Sequence, residues 1–535
     1  MQTPASKEEV AKNEENVKVK DAERGRGKDG EIKKNGKEVM PLNNMERKPS
    51  LPVDSNDERM SAREQENTSQ TIRRALQLRN LRQASKSSLP SQTSMNRTIK
   101  HPTRYWETLV HLLKGNIGAG LFAMADAYKN AGLIGGLVGT LFIGGICIYC
   151  SHILIWSSAK IRKKLNMDAD PSFEETVEYC FEFGPKYYQK TSKIAGILVK
   201  VFIVITQLGF CCVFYVFVAE SFVGVMNPYL NGHHISGSVY IVSMFFLMMV
   251  ICLIPYLKFL TPISLAGTIF LFTGILYIVG VASTDIPSLS TRDYFGKAST
   301  FPLFFGTVVY AFEGIALIIP LRAEMRRPEK FASSLGVYNV GMMIVMILFN
   351  VVGFLGYLKF GPETAGSISF NLEPSVAADV IKIIVALGIM FSYPLQFFVA
   401  SAIISDAIVH KCFNRVSHKK RLIVGCVVRG SLVTITCAVA IFVPNLGAFI
   451  SLIGCVSSTA LALVFPVLCH ISLFTCPEEF EPATSKLLPL WYVLDGLALL
   501  LAFLGFITGA YFSSKEIISK FSIPDVRFSA AHPKT

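Results

Sequence analysis

The fold class predicted by this sequence is an all-α polytopic membrane protein with eleven membrane-spanning helices, arranged as two inverted five-span repeats whose first helices are broken. Three observations carry it. Apolar runs of about 20 residues, long enough to cross a hydrocarbon core, recur from Tyr105 onward. Only 17% of the 535 residues are charged, against roughly a quarter in ordinary soluble domains. Two of the runs, five spans apart, are interrupted by glycines.

The runs lie at residues 105–128, 133–157, 194–225, 239–257, 263–282, 301–321, 335–358, 376–409, 422–443, 446–470 and 487–512. They divide the chain into an N-terminal tail (1–104), an eleven-span body (105–512) and a short C-terminal tail (513–535). The first 104 residues hold 22 Lys+Arg and 15 Asp+Glu but not one of the 60 aromatics or 12 cysteines. A segment without large apolar side chains cannot offset its ordering entropy, so the tail is predicted to be a disordered basic arm. Within it, Ile72, Leu76 and Leu81 among four arginines make a short amphipathic stretch suited to anionic lipid, although a solvated arm is the simpler reading. A segment around Pro171–Phe183, with Phe173, Val177 and Phe181 among acids, predicts a helix lying on the membrane surface.

The short loops set the orientation. Lys160, Arg162, Lys163, Lys164, Lys186, Lys190 and Lys193 separate spans 2 and 3; Arg322, Arg326, Arg327 and Lys330 follow span 6; Lys411, Arg415, Lys419, Lys420 and Arg421 join spans 8 and 9. The alternate loops are nearly bare. The positive-inside rule then places the N-terminus in the cytosol and the C-terminus outside or in a lumen. The two Asn-x-Ser/Thr sequons, at Asn67 and Asn96, fall in the tail on the cytosolic side. No cysteine lies in an outside loop, and no metal-ligand spacing occurs. Basic flanks account for the net charge of +13 without a nucleic-acid partner, and no phosphate-binding glycine loop is present.

Span 1 contains Gly115-Asn116-Ile117-Gly118-Ala119-Gly120, and four small residues in six are poor for a continuous helix. Broken backbone in a bilayer is tolerated only where protein or a water-filled cavity satisfies it. Span 6 matches it with Tyr310-Ala311-Phe312-Glu313-Gly314, then Pro320. Paired interruptions at corresponding positions point to a midplane binding site. Free N–H groups at a half-helix N-terminus suit a carboxylate, and unwound carbonyls suit an ammonium, so a zwitterionic amino acid fits both. Close helix packing by small residues is the competing explanation of the glycines.

The runs His111-Leu-Leu-Lys-Gly-Asn-Ile-Gly-Ala-Gly120, Lys129-Asn-Ala-Gly132, Gln207-Leu-Gly-Phe-Cys-Cys212 and Tyr310-Ala-Phe-Glu-Gly314 strongly resemble the proton-coupled amino acid transporters of the amino acid/auxin permease family, over about residues 104–512. The resemblance implies a LeuT-like fold and symport of small neutral amino acids with protons. It assigns Gly118, Ala119 and Gly120 to carboxylate binding and Tyr310, Phe312 and Gly314 to the matching break, with Phe312 bordering the side-chain pocket. The chain departs from the family pattern at Ala125, where proline is usual, at Ala119 for threonine, at Arg322, which reverses a charge, and at Ala400 and Ala402.

An ionisable residue inside a span is a functional candidate. His111, whose imidazole titrates near neutral pH, and Glu313, inside the span 6 break, are the proton-coupling candidates; a fixed hydrogen-bonding role competes for each. Asp126 is a gating candidate, and Gln207 and Gln396 are candidates for lining the path, against a role in helix-to-helix hydrogen bonds. Glu220, Lys382, Asp406, Arg429 and Asp495 fall near span ends and read as interfacial.

The expectation is therefore a secondary transporter, not an enzyme. It has no cofactor, H⁺ as coupling ion with Na⁺ as the variant, and a plasma-membrane or lysosomal location. The alternative is an amino acid sensor with little flux, in which the tail recruits a cytosolic partner.

Overall fold

The computed structural model describes residues 102–230, 233, 235–254, 257–412, 418–443, 445–475 and 488–521. Residues 1–101 with the amphipathic stretch, 413–417 with Arg415 between spans 8 and 9, and 522–535 at the end of the chain lie outside the described residues. What is described is helical throughout, save an isolated bridge between Thr103 and Met325.

Span 1 is two helices, α1 (Tyr105–Asn116) and α2 (Ala119–Ala131), and span 2 is α3 (Leu133–Leu165). A loop with α4 (Phe173–Glu182) and α5 (Lys186–Gln189) leads to span 3, α6 (Ser192–Met226). Spans 4 and 5 are α7 (Gly237–Cys252) and α8 (Leu257–Ala282); span 6 is again two helices, α9 (Phe301–Ala311) and α10 (Ile315–Glu324). Spans 7, 8 and 9 are α11 (Val337–Phe360), α12 (Val376–Cys412) and α13 (His418–Ile441). Span 10 runs through α14 (Leu446–Ile453), two π-helical stretches (Gly454–Ser458 and Ala460–Val464) and α15 (Phe465–Phe474), and span 11 is α16 (Leu488–Phe521).

Among the described residues, nine segments are long and apolar enough to cross a membrane. The other two expected spans are the shorter apolar α7 and the broken pair α1–α2. Both interrupted helices open a five-span set. The two run in opposite directions, because Thr103, before α1, accepts from Arg326 N (3.0 Å) and donates to the carbonyl of Glu324 (2.9 Å) at the end of α10. The sequence pattern and this placing of the start of span 1 beside the end of span 6, through a parallel bridge, together give the LeuT-like architecture.

Span 6 is wrapped by α2, span 10 and span 11, while spans 3, 5 and 8 pack as a second group. Glycines set the closest approaches. A Cβ on Gly454 would lie closer than a van der Waals contact to the Gly306 carbonyl, so spans 6 and 10 cross at a glycine pair. Gly136 and Gly353 flank the Tyr128 ring, whose hydroxyl donates to Asn350 Oδ1 at 2.6 Å. This fastens the C-terminal half of span 1 to span 7.

Four expectations need correction. Thr103 and Arg104, assigned to the tail, already belong to the ordered body through the bridge to span 6. The last helix continues to Phe521 rather than ending at 512, carried on by a polar turn with a Lys520–Glu516 pair. The loop helix α4 forms where predicted, started by Ser172 and Glu175 as a capping box. Its Phe173, Val177 and Phe181 are buried against protein rather than laid on lipid, and Ser472 Oγ on α15 donates to the Cys180 carbonyl at 2.6 Å. Finally, Lys382, Arg429 and Asp495 are buried, not interfacial, because neighbouring helices extend far enough to cover them. Lys382 Nζ donates to the Leu372 carbonyl.

Candidate functional site

Helix α1 ends because Ile117 turns extended and Gly118 follows in the same region (φ −156°, ψ −155°). Helix α2 then starts at Ala119. Its first N–H groups have no carbonyl one turn back, and Leu121 N reaches only the Gly118 carbonyl, at 3.1 Å. Across from it, α9 ends at Ala311, Phe312 and Glu313 leave the helix, and α10 starts after Gly314. The arrangement brings together two helix N-termini, with their positive dipole ends, and two C-terminal turns of carbonyls.

The two breaks touch. A Cβ on Gly120 would lie 2.7 Å from Ala311 Cα, and one on Gly314 would lie 3.1 Å from Asn116 Oδ1. Gly118 differs: a Cβ there would have nothing within 4 Å. Glycine is thus required at 120 by contact with the facing backbone, whereas at 118 it borders open space. Ala119 is buried at the head of α2. Tyr310 packs its ring on Phe210 of span 3 (4.7 Å, edge to face), and Phe312 packs on Phe349 of span 7 (5.0 Å). A cavity of about 10 Å³ adjoins the break, bounded by Asn116, Phe312 and Gly314 and by Ser151 of span 2. It has room for about one water.

Three buried polar atoms near or beside this region, Glu313 Oε2, Asn116 Oδ1 and Ser458 Oγ, make no hydrogen bond of ordinary length and angle. Ser458, in the first π stretch of span 10, lies beside Glu313. Single π turns inside α-helices are frequent at functional sites. Asn116 was not singled out from the sequence, yet it is the last residue of α1 and only 6% exposed. A polar amide directly before the glycine break was the available signal. The π stretch was also missed; its trace in the sequence is the small-residue run Ser457-Ser458-Thr459-Ala460.

The other predicted residues separate. His111 is exposed on the outer face of α1 and does not reach the break. Asp126 is buried at the opposite end of α2, 2.9 Å from Lys129 Nζ and against Gly447 at the start of α14. Lys129 in turn donates to the Thr364 carbonyl. Gln207 is buried on span 3 with Oε1 unpartnered, while Gln396 is half-buried on span 8. Of the departures, Ala125 fits beneath Gly356, where a built Cβ would meet it at 2.7 Å; Ala400 and Ala402 are buried on span 8. Arg322 pairs with buried Asp170, which also faces Arg162.

Residues 101–513 match the family model described as transmembrane amino acid transporter protein. The chain belongs to this family. As one of these amino acid transporters it is a multi-pass membrane protein and not an enzyme. It is 33% identical over 372 residues to the proton-coupled amino acid transporter-like protein pathetic of Drosophila melanogaster, covering 69% of this chain and 77% of that one. It is 27% identical over 419 residues to the amino acid transporter AVT3A of Arabidopsis thaliana, covering 77% and 90%. A solved Na⁺-coupled sialic acid symporter superposes with a TM-score of 0.48 at 13% identity, covering 82% of this chain and 95% of its own. Among the described residues of this family member, no cluster of His, Cys, Asp and Glu could hold a metal ion.

Proposed function

We propose that this amino acid transporter carries a small neutral amino acid together with a proton through the breaks of spans 1 and 6, with its N-terminus in the cytosol. The observation that carries the proposal is the convergence of the two breaks around the buried carboxylate oxygen of Glu313. The N–H groups at Ala119 and Gly120 would receive the substrate carboxylate, and the last carbonyls of α9 its ammonium. Phe312 and Tyr310 bound the side-chain space, which the nearby rings keep small.

Glu313 is the proton acceptor in this scheme. The substrate carboxylate disfavours a second negative charge nearby, so Glu313 is neutral when the site is loaded and charged when it is empty, and that alternation links the two fluxes. His111 remains the second candidate, although its position on the outer face of α1 gives it no contact with substrate. Asp126, against span 10, would close the opposite end. Na⁺ in place of H⁺ would use the same unwound carbonyls.

The test is uptake into proteoliposomes of the full chain, with an amino acid panel under imposed H⁺ or Na⁺ gradients. Glycine- or alanine-sized substrates driven by an acid exterior support the reading. Uptake driven by Na⁺ alone, or confined to large or charged amino acids, overturns the proton or substrate assignment respectively.

A further inference from the structure

The chain entering α1 and the loop leaving α10 enclose a surface cavity of about 400 Å³, within the size range of small-ligand sites. Four cations line it, Arg104, Arg326, Arg327 and Lys330, with Thr103 and Met325 at its back. Glu107, Glu324 and Glu329 lie on the same segments but do not line it; Glu107 Oε2 accepts from Arg104 N at 2.7 Å. Among the described residues, no ion pair involves any of the four cations. The neighbouring Arg322 is different: it is buried and already satisfied by Asp170. The fold thus uses Arg322, at the end of α10, internally and gathers four other cations on the segments that bound the cavity.

We propose that this cavity binds the phosphorylated headgroup of an anionic inositol lipid. Guanidinium groups match phosphate oxygens in two-point contacts, and a basic cluster directly at a span end is the usual form of a lipid-headgroup site. Tyr105 lines the cavity and the next residue, Trp106, is 72% exposed, as expected of a ring resting at a membrane interface. The walls come from two segments joined by the Thr103–Met325 bridge. A phosphate held between Arg104 on one side and Arg326 or Arg327 on the other fastens the start of span 1 to the end of span 6. Opening at this face requires those segments to part, so the bound headgroup slows it. That effect on flux rests on the transport reading above; the binding does not.

The test is binding of a fluorescent phosphatidylinositol bisphosphate to the full chain in neutral detergent, with fluorescent phosphatidylserine as the comparison and soluble inositol trisphosphate as competitor. The expected result is binding at least roughly tenfold tighter than phosphatidylserine, and a loss of about tenfold in Arg326→Gln/Arg327→Gln/Lys330→Gln. Arg104→Gln, on the opposite wall, checks the same loss in case the triple variant fails to fold. Full competition by inositol trisphosphate assigns recognition to the phosphates alone, and weak competition adds the lipid body; both support the site. Equal affinity for phosphatidylserine, or unchanged binding by folded variants, overturns it. A bisphosphate that binds but leaves uptake unchanged overturns only the gate-holding role.

Discussion

Arg322 Nη1 donates to Asp170 Oδ2 at 2.6 Å, with Arg162 Nε 3.3 Å from the other carboxylate oxygen. Arg322, at the end of span 6, is therefore joined to the loop that follows span 2. In the sequence Arg322 stood out only as a charge reversal relative to the family pattern; its partner 152 positions earlier explains it. Removing Arg322 leaves buried Asp170 with the part-exposed Arg162 alone, so the cost falls below the about 3–5 kcal/mol of a fully stranded buried charge. Arg322→Ala should lower the melting temperature of the purified chain sharply, while Arg322→Gln with Asp170→Asn should lose much less. Equal losses from single and double variants would contradict the pairing.

Gly118 and Gly120 should respond differently to the same substitution. Gly120→Ala forces a methyl against Ala311, an overpacking worth about 1–3 kcal/mol, and should reduce both thermal stability and uptake. Gly118→Ala meets nothing within 4 Å and should keep its stability, while Gly118→Leu should fold and raise the KM for substrate. Melting curves set beside uptake kinetics check both.

A carboxylate held by two neutral-capable partners joins three spans. Asp495 Oδ1 accepts from Tyr149 Oη at 2.7 Å, and Oδ2 lies 2.7 Å from His470 Nδ1. Trp156 and Trp491 pack on the imidazole. Tyr149→Phe removes one hydrogen bond to a buried acidic group and should cost about 1.5–3 kcal/mol. His470→Phe with Asp495→Leu should cost less than either change alone, as a double-mutant cycle of melting temperatures would reveal.

On the loop helix α4, burial raises the Glu178 carboxyl above the usual range, with Glu182 adding to it. A carboxyl raised in the folded state favours folding when protonated. Its contribution is present below the unfolded pKa, about 4.3, and is lost as pH rises through the folded value. Glu178→Gln should therefore raise the melting temperature at neutral pH, and the gain should shrink toward zero below about pH 4. An equal gain at both pH values would rule out the titration as its cause.

The spans and both breaks were legible because apolar length and glycine interruptions are local signals. Span 2 begins at Leu133 and span 6 at Phe301, as the hydropathy indicated. What depended on distant partners was not legible. Asp495 looked interfacial until α3 and α15 were seen to supply Tyr149 and His470. His111 shares its run with the glycines, but the helical turn between them carries it to the exposed face. The π stretch beside Glu313 leaves almost no trace in composition, because its backbone bonding is set by packing against Gly306.

In the proposed mechanism the amino acid and a proton cross together through the Glu313 site. The most direct measurement is lumenal pH, followed with a trapped dye in proteoliposomes when alanine is added outside without any ion gradient. The account predicts lumenal acidification in step with alanine entry, and alanine exchange without acidification in Glu313→Gln. Alanine entry by the unaltered chain with no change in lumenal pH would contradict it.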